Sequence, residues 1–232
     1  MSELTPILAA IAGGVFPALA WLWFWRREDR THPEPRRLIA LAFFAGMVTV
    51  GIVIPIQKYV APFLWSTTAV FTAWSIIEEV LKYVAARVTV LWRRDDDEPI
   101  DPVIYMVTVA LGFAALENTL FLMSPIAGNT PIETIMTGNL RFVGATLLHV
   151  LSSAVVGLAL AISFYKPHRV HAWYVLGGVI LASLLHSGFN FLILNAPEEH
   201  LMRTFGVVWI GVIAVLAGVE FVKRIRPRFK RY

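Results

Sequence analysis

Glu78, Glu79, Glu117, His149 and His186 are ionisable residues set inside otherwise apolar stretches, and Lys82 follows Glu78 by one helical turn. A charged side chain in hydrocarbon costs about 3 kcal/mol or more, so such residues normally face a polar interior and serve a function. A structural ion pair or an interhelical hydrogen bond would account for a lone histidine equally well. It accounts poorly for five such positions spread over four stretches. Imidazoles and carboxylates together suit the activation of water: a buried carboxylate can act as general base near neutral pH. Imidazole and a side-chain amide can stabilise an oxyanion. Alternatively, two histidines and a glutamate could hold a zinc ion with one position open for water. The sequence has no HExxH, so a metal site would have to be assembled from separate helices. Other nucleophiles are excluded or unsupported. There is no cysteine, no GxSxG and no aspartate pair within the apolar stretches. Both remaining routes lead to hydrolysis.

The elements that must position these groups are apolar runs near the roughly 20 residues a helix needs to cross a bilayer. Seven are expected, at 4–25, 38–57, 61–91, 102–124, 140–165, 173–194 and 203–222. The third is too long for a straight crossing, and should tilt, break near Trp74 or project beyond the membrane. Fifteen of the twenty Lys and Arg residues lie in the first, third and fifth gaps and in the tail, against only Lys58, Arg141 and Arg203 in the opposite gaps. The positive-inside rule then places the N-terminus outside and the C-terminus in the cytoplasm. Measured from the cytoplasmic ends at 1.5 Å per residue, Glu78, Glu117, His149 and His186 all fall roughly 20–24 Å deep. Four helices thus bring two acids and two imidazoles to one level. Residues four apart share a helix face, which stacks Glu78 with Lys82, His149 with Ser153 and His186 with Asn190. Small residues at Gly157, Ser183 and Ser187 beside these stripes would let helices approach closely. Glu78 and Glu79 lie about 100° apart on a helix, so one should face the reactive centre and the other support it. Asn118, beside Glu117, offers a donor and an acceptor.

Composition fixes the class. Apolar residues make up 57% of the 232, charged residues only 16%, and mean hydropathy is +0.67. A soluble domain carries roughly a quarter charged residues. The chain therefore reads as an all-α, polytopic transmembrane bundle, one integral membrane domain over 1–232 in the cell membrane, with a motif core at 78–190. The net charge of +4 sits in the gaps between apolar runs, a membrane-topology pattern rather than a nucleic-acid surface. The first run is followed, not preceded, by basic residues and is expected to be a mature helix rather than a signal peptide. The acidic run Asp95–Glu98 reads as a solvated loop broken by Pro99.

The residues also resemble a known family. Glu78-Glu79-Val80-Leu81-Lys82 is similar to the EExxK motif of the PrsW family of intramembrane proteases. Gly112-Phe113 with Glu117-Asn118 is similar to its Gly-Phe…Glu-Asn motif, and His149…Ser153 and His186…Asn190 to its two later histidine motifs. The four come in the family's order and span about half the chain. The wider superfamily includes type II CAAX prenyl proteases. Lys82 stands one position earlier than the Arg of their pattern, and Glu117 stands where their middle motif has His, so prenylated substrates fit less well. The resemblance implies an intramembrane endopeptidase acting on membrane-protein substrates, typified by an anti-sigma factor. It makes Glu78, Glu79, Glu117, His149, His186 and Asn190 the catalytic set, supported by Lys82, Asn118 and Ser153. On the prenyl-protease analogy Glu78 activates water while His186 and Asn190 hold the oxyanion. The family has also been classed with metallopeptidases, so zinc stays open beside a slightly favoured metal-free reading. A proton-coupled transporter, or a non-catalytic membrane binding protein, would bury the same groups. Proton-coupled uptake without cleavage would separate those from the enzyme.

Overall fold

The computed structural model describes residues 4–29, 32–123, 131–195 and 201–226, with side chains over 7–29, 32–123, 144–192 and 206–226. Arg30, Arg228, Lys230 and Arg231, and the side chains of Arg141 and Arg203, which entered the orientation argument, lie outside these residues. Among the described residues seven α-helices follow one another: α1 (Leu4–Trp25), α2 (Arg36–Val60), α3 (Thr67–Thr89), α4 (Asp101–Met123), α5 (Pro131–Ile162), α6 (His168–Asn195) and α7 (Leu201–Val222). A short 3-10 turn, Ala61–Phe63, follows α2. Among the described residues there is no strand.

The long third run divides where a cap permits. Ser66 adopts extended backbone and its hydroxyl accepts the Ala69 N–H at 3.1 Å, so α3 begins at Thr67. The break therefore lies at 64–66, and α3 continues unbroken through Trp74. Among the described residues five helices are long and apolar enough to cross a membrane: α1, α2 with its 3-10 extension, α4, α5 over 144–162, and α6 over 168–192. In α7 the described apolar helix, Gly206–Val222, is shorter. The chain is a multi-pass helical membrane protein.

α3 departs from that pattern for a physical reason. Its buried residues are Ser75, Glu78, Glu79, Lys82 and Ala86, while Ile76, Val80, Val84 and Val88 are exposed. The polar stripe faces the protein and the apolar stripe faces outward, the inverse of a helix in water. Only a hydrocarbon surround and a polar partner inside stabilise that arrangement.

α4 supplies the axis. It is apolar all round, and nearly every side chain from Asp101 to Ala115 is buried, the expected fate of such a helix. α1, α2 and α5 pack directly against it, α3 and α6 pack on each other, and α7 lies against α5. Close approach at the α2–α4 crossing depends on glycine. A Cβ on Gly112 would overlap the Phe43 carbonyl, and one on Gly46 would overlap that of Val109. This is the small-residue packing that helices need where lipid gives no hydrophobic drive to associate.

Candidate active site

α3 carries three functional groups on one stripe. The Glu79 carboxylate lies at its centre, fully buried. Its Oε1 accepts hydrogen bonds from Lys82 Nζ at 2.6 Å, Ser152 Oγ at 2.8 Å and His186 Nδ1 at 2.8 Å, and its Oε2 from Ser153 Oγ at 3.2 Å. Four donors from three helices thus satisfy one carboxylate, the condition under which a buried charge is tolerable. Lys82, also fully buried, is its counter-ion. The ion pair is i,i+3 with Glu79, not i,i+4 with Glu78 as the stacking argument expected. Both spacings bring groups together on a helix; here Ser152, Ser153 and His186 hold Glu79 next to Lys82.

The imidazole orientations follow from these bonds. His186 gives Nδ1–H to Glu79, and its Nε2 stands 3.7 Å from Glu78 Oε2. His149 gives Nε2–H to Glu117 Oε2 at 2.8 Å, so its Nδ1 carries the lone pair. That Nδ1 stands 4.0 Å from Glu78 Oε2 and 3.2 Å from Lys82 Nζ. The two rings meet edge to face, 5.0 Å between centroids, and Phe113 closes the other side of His149 at 5.1 Å.

Glu78 differs from its neighbour in chain. Gln57, from α2, donates to its Oε1 at 2.8 Å. Its Oε2 is buried with no hydrogen-bond partner among the described residues. Buried polar atoms are rarely left so, and each exception calls for a cause. Glu78, His149 and His186 each offer one ligand atom, all within 4.8 Å of one another. A tetrahedral ion with bonds of about 2.0–2.1 Å holds its ligand atoms roughly 3.4 Å apart. The donor types fit such an ion, and the nitrogens now 3.7 and 4.0 Å from Glu78 Oε2 would draw in toward that spacing on binding. Carboxylates behind both histidines, Glu79 and Glu117, fit as well, since metal-bound imidazole usually donates its other N–H to such a group. Glu117 is the accessible member, its side chain 30% exposed.

The expected site residues are therefore brought together in large part. Glu78, Glu79, Lys82, Glu117, His149, Ser153 and His186 form one contiguous network. Asn190 stands one turn along α6 from His186, its amide donating to Ser75 Oγ at 3.3 Å. Asn118 donates instead to Thr146 Oγ1 at 3.0 Å, tying α4 to α5. Sequence reasoning missed Ser152 and Gln57. Ser152 lies three residues after His149, a spacing that could have found it. Gln57 had no such signal at the end of its apolar run.

The sequence model described as a PrsW family intramembrane metalloprotease matches residues 34–219. Similar curated proteins are the Protease PrsW of Geobacillus kaustophilus (strain HTA426), 28% identical over 193 residues and 81% of each chain, and that of Bacillus subtilis (strain 168), 24% identical over 190 residues, 81% of this chain and 84% of the relative. The Protease PrsW of Oceanobacillus iheyensis (strain HTE831) is 26% identical over 216 residues, 90% of this chain and 94% of its own. No solved structure matches.

Proposed function

The chain belongs to the PrsW family of intramembrane metalloproteases, and on that premise we propose that Glu78, His149 and His186 hold a zinc-like divalent ion at which a peptide bond of a membrane protein is hydrolysed. The observation that carries this reading is the buried Glu78 Oε2, without a hydrogen-bond partner among the described residues, with His186 Nε2 3.7 Å and His149 Nδ1 4.0 Å away. A metal bound there would supply Lewis-acid polarisation of the scissile carbonyl and a water acidified toward neutral pH.

The protein's own groups set the conditions. Glu79 fixes the His186 tautomer, and Lys82 holds Glu79 in place. Glu117 fixes the His149 tautomer from the accessible side. Ser152 and Ser153 complete the Glu79 shell, and Gln57 orients Glu78. Asn190 lies one turn away, at a height where a substrate carbonyl could accept its amide. The substrate class is a single-span membrane protein of the anti-sigma-factor kind. Seven crossings, with the N-terminus outside and the C-terminus in the cytoplasm, follow from the distribution of Lys and Arg.

One observation favours a metal-free variant of the same hydrolysis. Lys82 Nζ is hydrogen-bonded to the His149 Nδ1 lone pair that an ion would need. Glu78 would then be the general base, taking a proton from water directly. Purified protein reconstituted with a single-span substrate separates the two. On the metal reading, chelation abolishes cleavage, added zinc restores it, and His149→Ala lowers metal content. Full activity in a chelated, zinc-free preparation would establish the metal-free route. Full activity of Glu78→Gln would refute both.

A further inference from the structure

A cavity of about 730 Å³ opens at the opposite end of the same helices, among α3, α4, α5 and α6. It is separate from the Glu78 cluster: Arg87 is two turns along α3 from Glu79, and His171 is fifteen residues along α6 from His186. Its polar wall carries Arg87, Lys166, His168 and His171 against the single acid Asp96. Its lower wall is apolar, built by Leu160, Val175, Leu176 and Val179.

The cations there are held loosely. Arg87 donates to the Leu91 carbonyl at 3.2 Å and lies 4.0 Å from the Trp92 ring centre, and Lys166 lies 5.5 Å from that of Tyr174. Among the described residues neither makes an ion pair with a carboxylate. Burial pushes the Asp96 carboxyl up to about 7, so the wall's acid is partly neutral at physiological pH. Among the described residues its buried Oδ1 has no hydrogen-bond partner.

The surroundings fix the level of the cavity. Trp92 is 70% exposed and Trp173 72%, and Tyr165 and Tyr174 are exposed beside them. Aromatic side chains at this density mark the headgroup zone of a bilayer. A cavity there with cations above and an apolar wall below has the polarity profile of a phospholipid standing in its leaflet. Basic pockets between membrane helices take anionic headgroups.

We propose that this cavity binds an anionic phospholipid, its phosphate between Arg87 and Lys166 and its acyl chains against Leu176 and Val179. Which leaflet it comes from rests on the proposed orientation, which makes it the cytoplasmic one; the binding itself does not depend on the proteolytic reading.

Full-length protein purified in detergent provides the test. Native mass spectrometry counts retained lipid after addition of phosphatidylglycerol, phosphatidylcholine or inorganic phosphate at equal concentration, and thermal unfolding is followed in parallel. Phosphatidylglycerol should be retained about tenfold over phosphatidylcholine and should raise the melting temperature. In Arg87→Gln/Lys166→Gln that preference should fall to within about twofold, while Arg93→Gln/Arg94→Gln, outside the cavity, keeps it. If the double variant fails to fold, Lys166→Gln alone, at an exposed position, should still lower retention severalfold. Equal retention of the two lipids, an unchanged preference in the cavity variants, or an equal thermal shift from inorganic phosphate would overturn the proposal.

Discussion

Among the described residues two places gather three buried side chains that could hold a metal ion: Glu78, His149 and His186 in mid-bundle, and Asp29, Glu34 and Asp101 at one end. They match in number and burial and differ in what their atoms already do. At the bundle end Asp101 Oδ2 accepts the N–H groups of Asp97 and Glu98, at 2.9 and 2.6 Å. Asp29 Oδ2 accepts the Glu34 N–H at 3.1 Å, and Glu34 accepts the Tyr105 hydroxyl. These carboxylates fasten the α1–α2 and α3–α4 loops onto α4; among the described residues the buried Asp29 Oδ1 has no partner. In mid-bundle the fastening falls to other residues, Glu79, Glu117 and Gln57, which orient the three candidate ligands and leave one ligand atom of each within 4.8 Å of the others. Reactivity is built by assigning support to a second set of side chains. A cluster that must support itself becomes structure.

The largest effect should come from removing the inward oxygen. Glu78→Gln should lower substrate cleavage by roughly 10³ or more, as loss of a base or ligand does. Asp101→Ala should cost about 1 kcal/mol of stability, as loss of a side chain that accepts backbone N–H groups does, with cleavage within about threefold of wild type. Initial rates in proteoliposomes at matched folded protein measure both, and equal losses would erase the distinction between the two clusters. Next in size is the support. Lys82→Met strands the buried Glu79 charge and should destabilise by about 3–5 kcal/mol. Adding Glu79→Gln should return part of that, which thermal unfolding of the single and double variants reads directly. Smaller again is the His149 arm: Glu117→Gln should lower zinc affinity about 10–100-fold in a chelator competition while leaving the fold intact.

The mid-bundle cluster was legible in the sequence because its members are costly. An ionised or imidazole side chain in an apolar run has few reasons to be there, so Glu78, Glu79, Glu117, His149 and His186 stood out one by one. Their supports were less visible in proportion to how little they cost. Ser152 also bonds the Leu148 carbonyl of its own helix at 2.9 Å, so a serine there signals nothing by itself. Lys82 was seen, but its partner was not, since helical spacing permits either glutamate and packing by α5 and α6 decides. The start of α3 was readable in principle, as Ser66 is a good N-cap, yet the apolar run around it hid the boundary. Nothing in the sequence brought Asp29, Glu34 and Asp101 together, because loop carboxylates near a basic gap look solvated until the loops fold onto α4.

The smallest predicted effect tests the structural cluster by pH. Burial pushes the Glu34 carboxyl up to about 8, from an ordinary value of 4.5. The folded protein therefore keeps a proton that the unfolded chain releases above 4.5. The stabilisation is fully present below that value and is lost as pH rises through about 8. Asp96, raised to about 7 by burial, acts in the same direction, so wild type alone cannot isolate Glu34. Glu34→Gln can, because the amide stays neutral at every pH and its oxygen can still accept the Tyr105 hydroxyl. Variant and wild type should melt together near pH 5. Near pH 8 the variant should melt higher by about 2–4 °C, the shift roughly 1 kcal/mol produces in a chain of this size. A melting difference that stays constant from pH 5 to pH 8 would mean that Glu34 is ionised throughout and that its negative charge is balanced within the cluster.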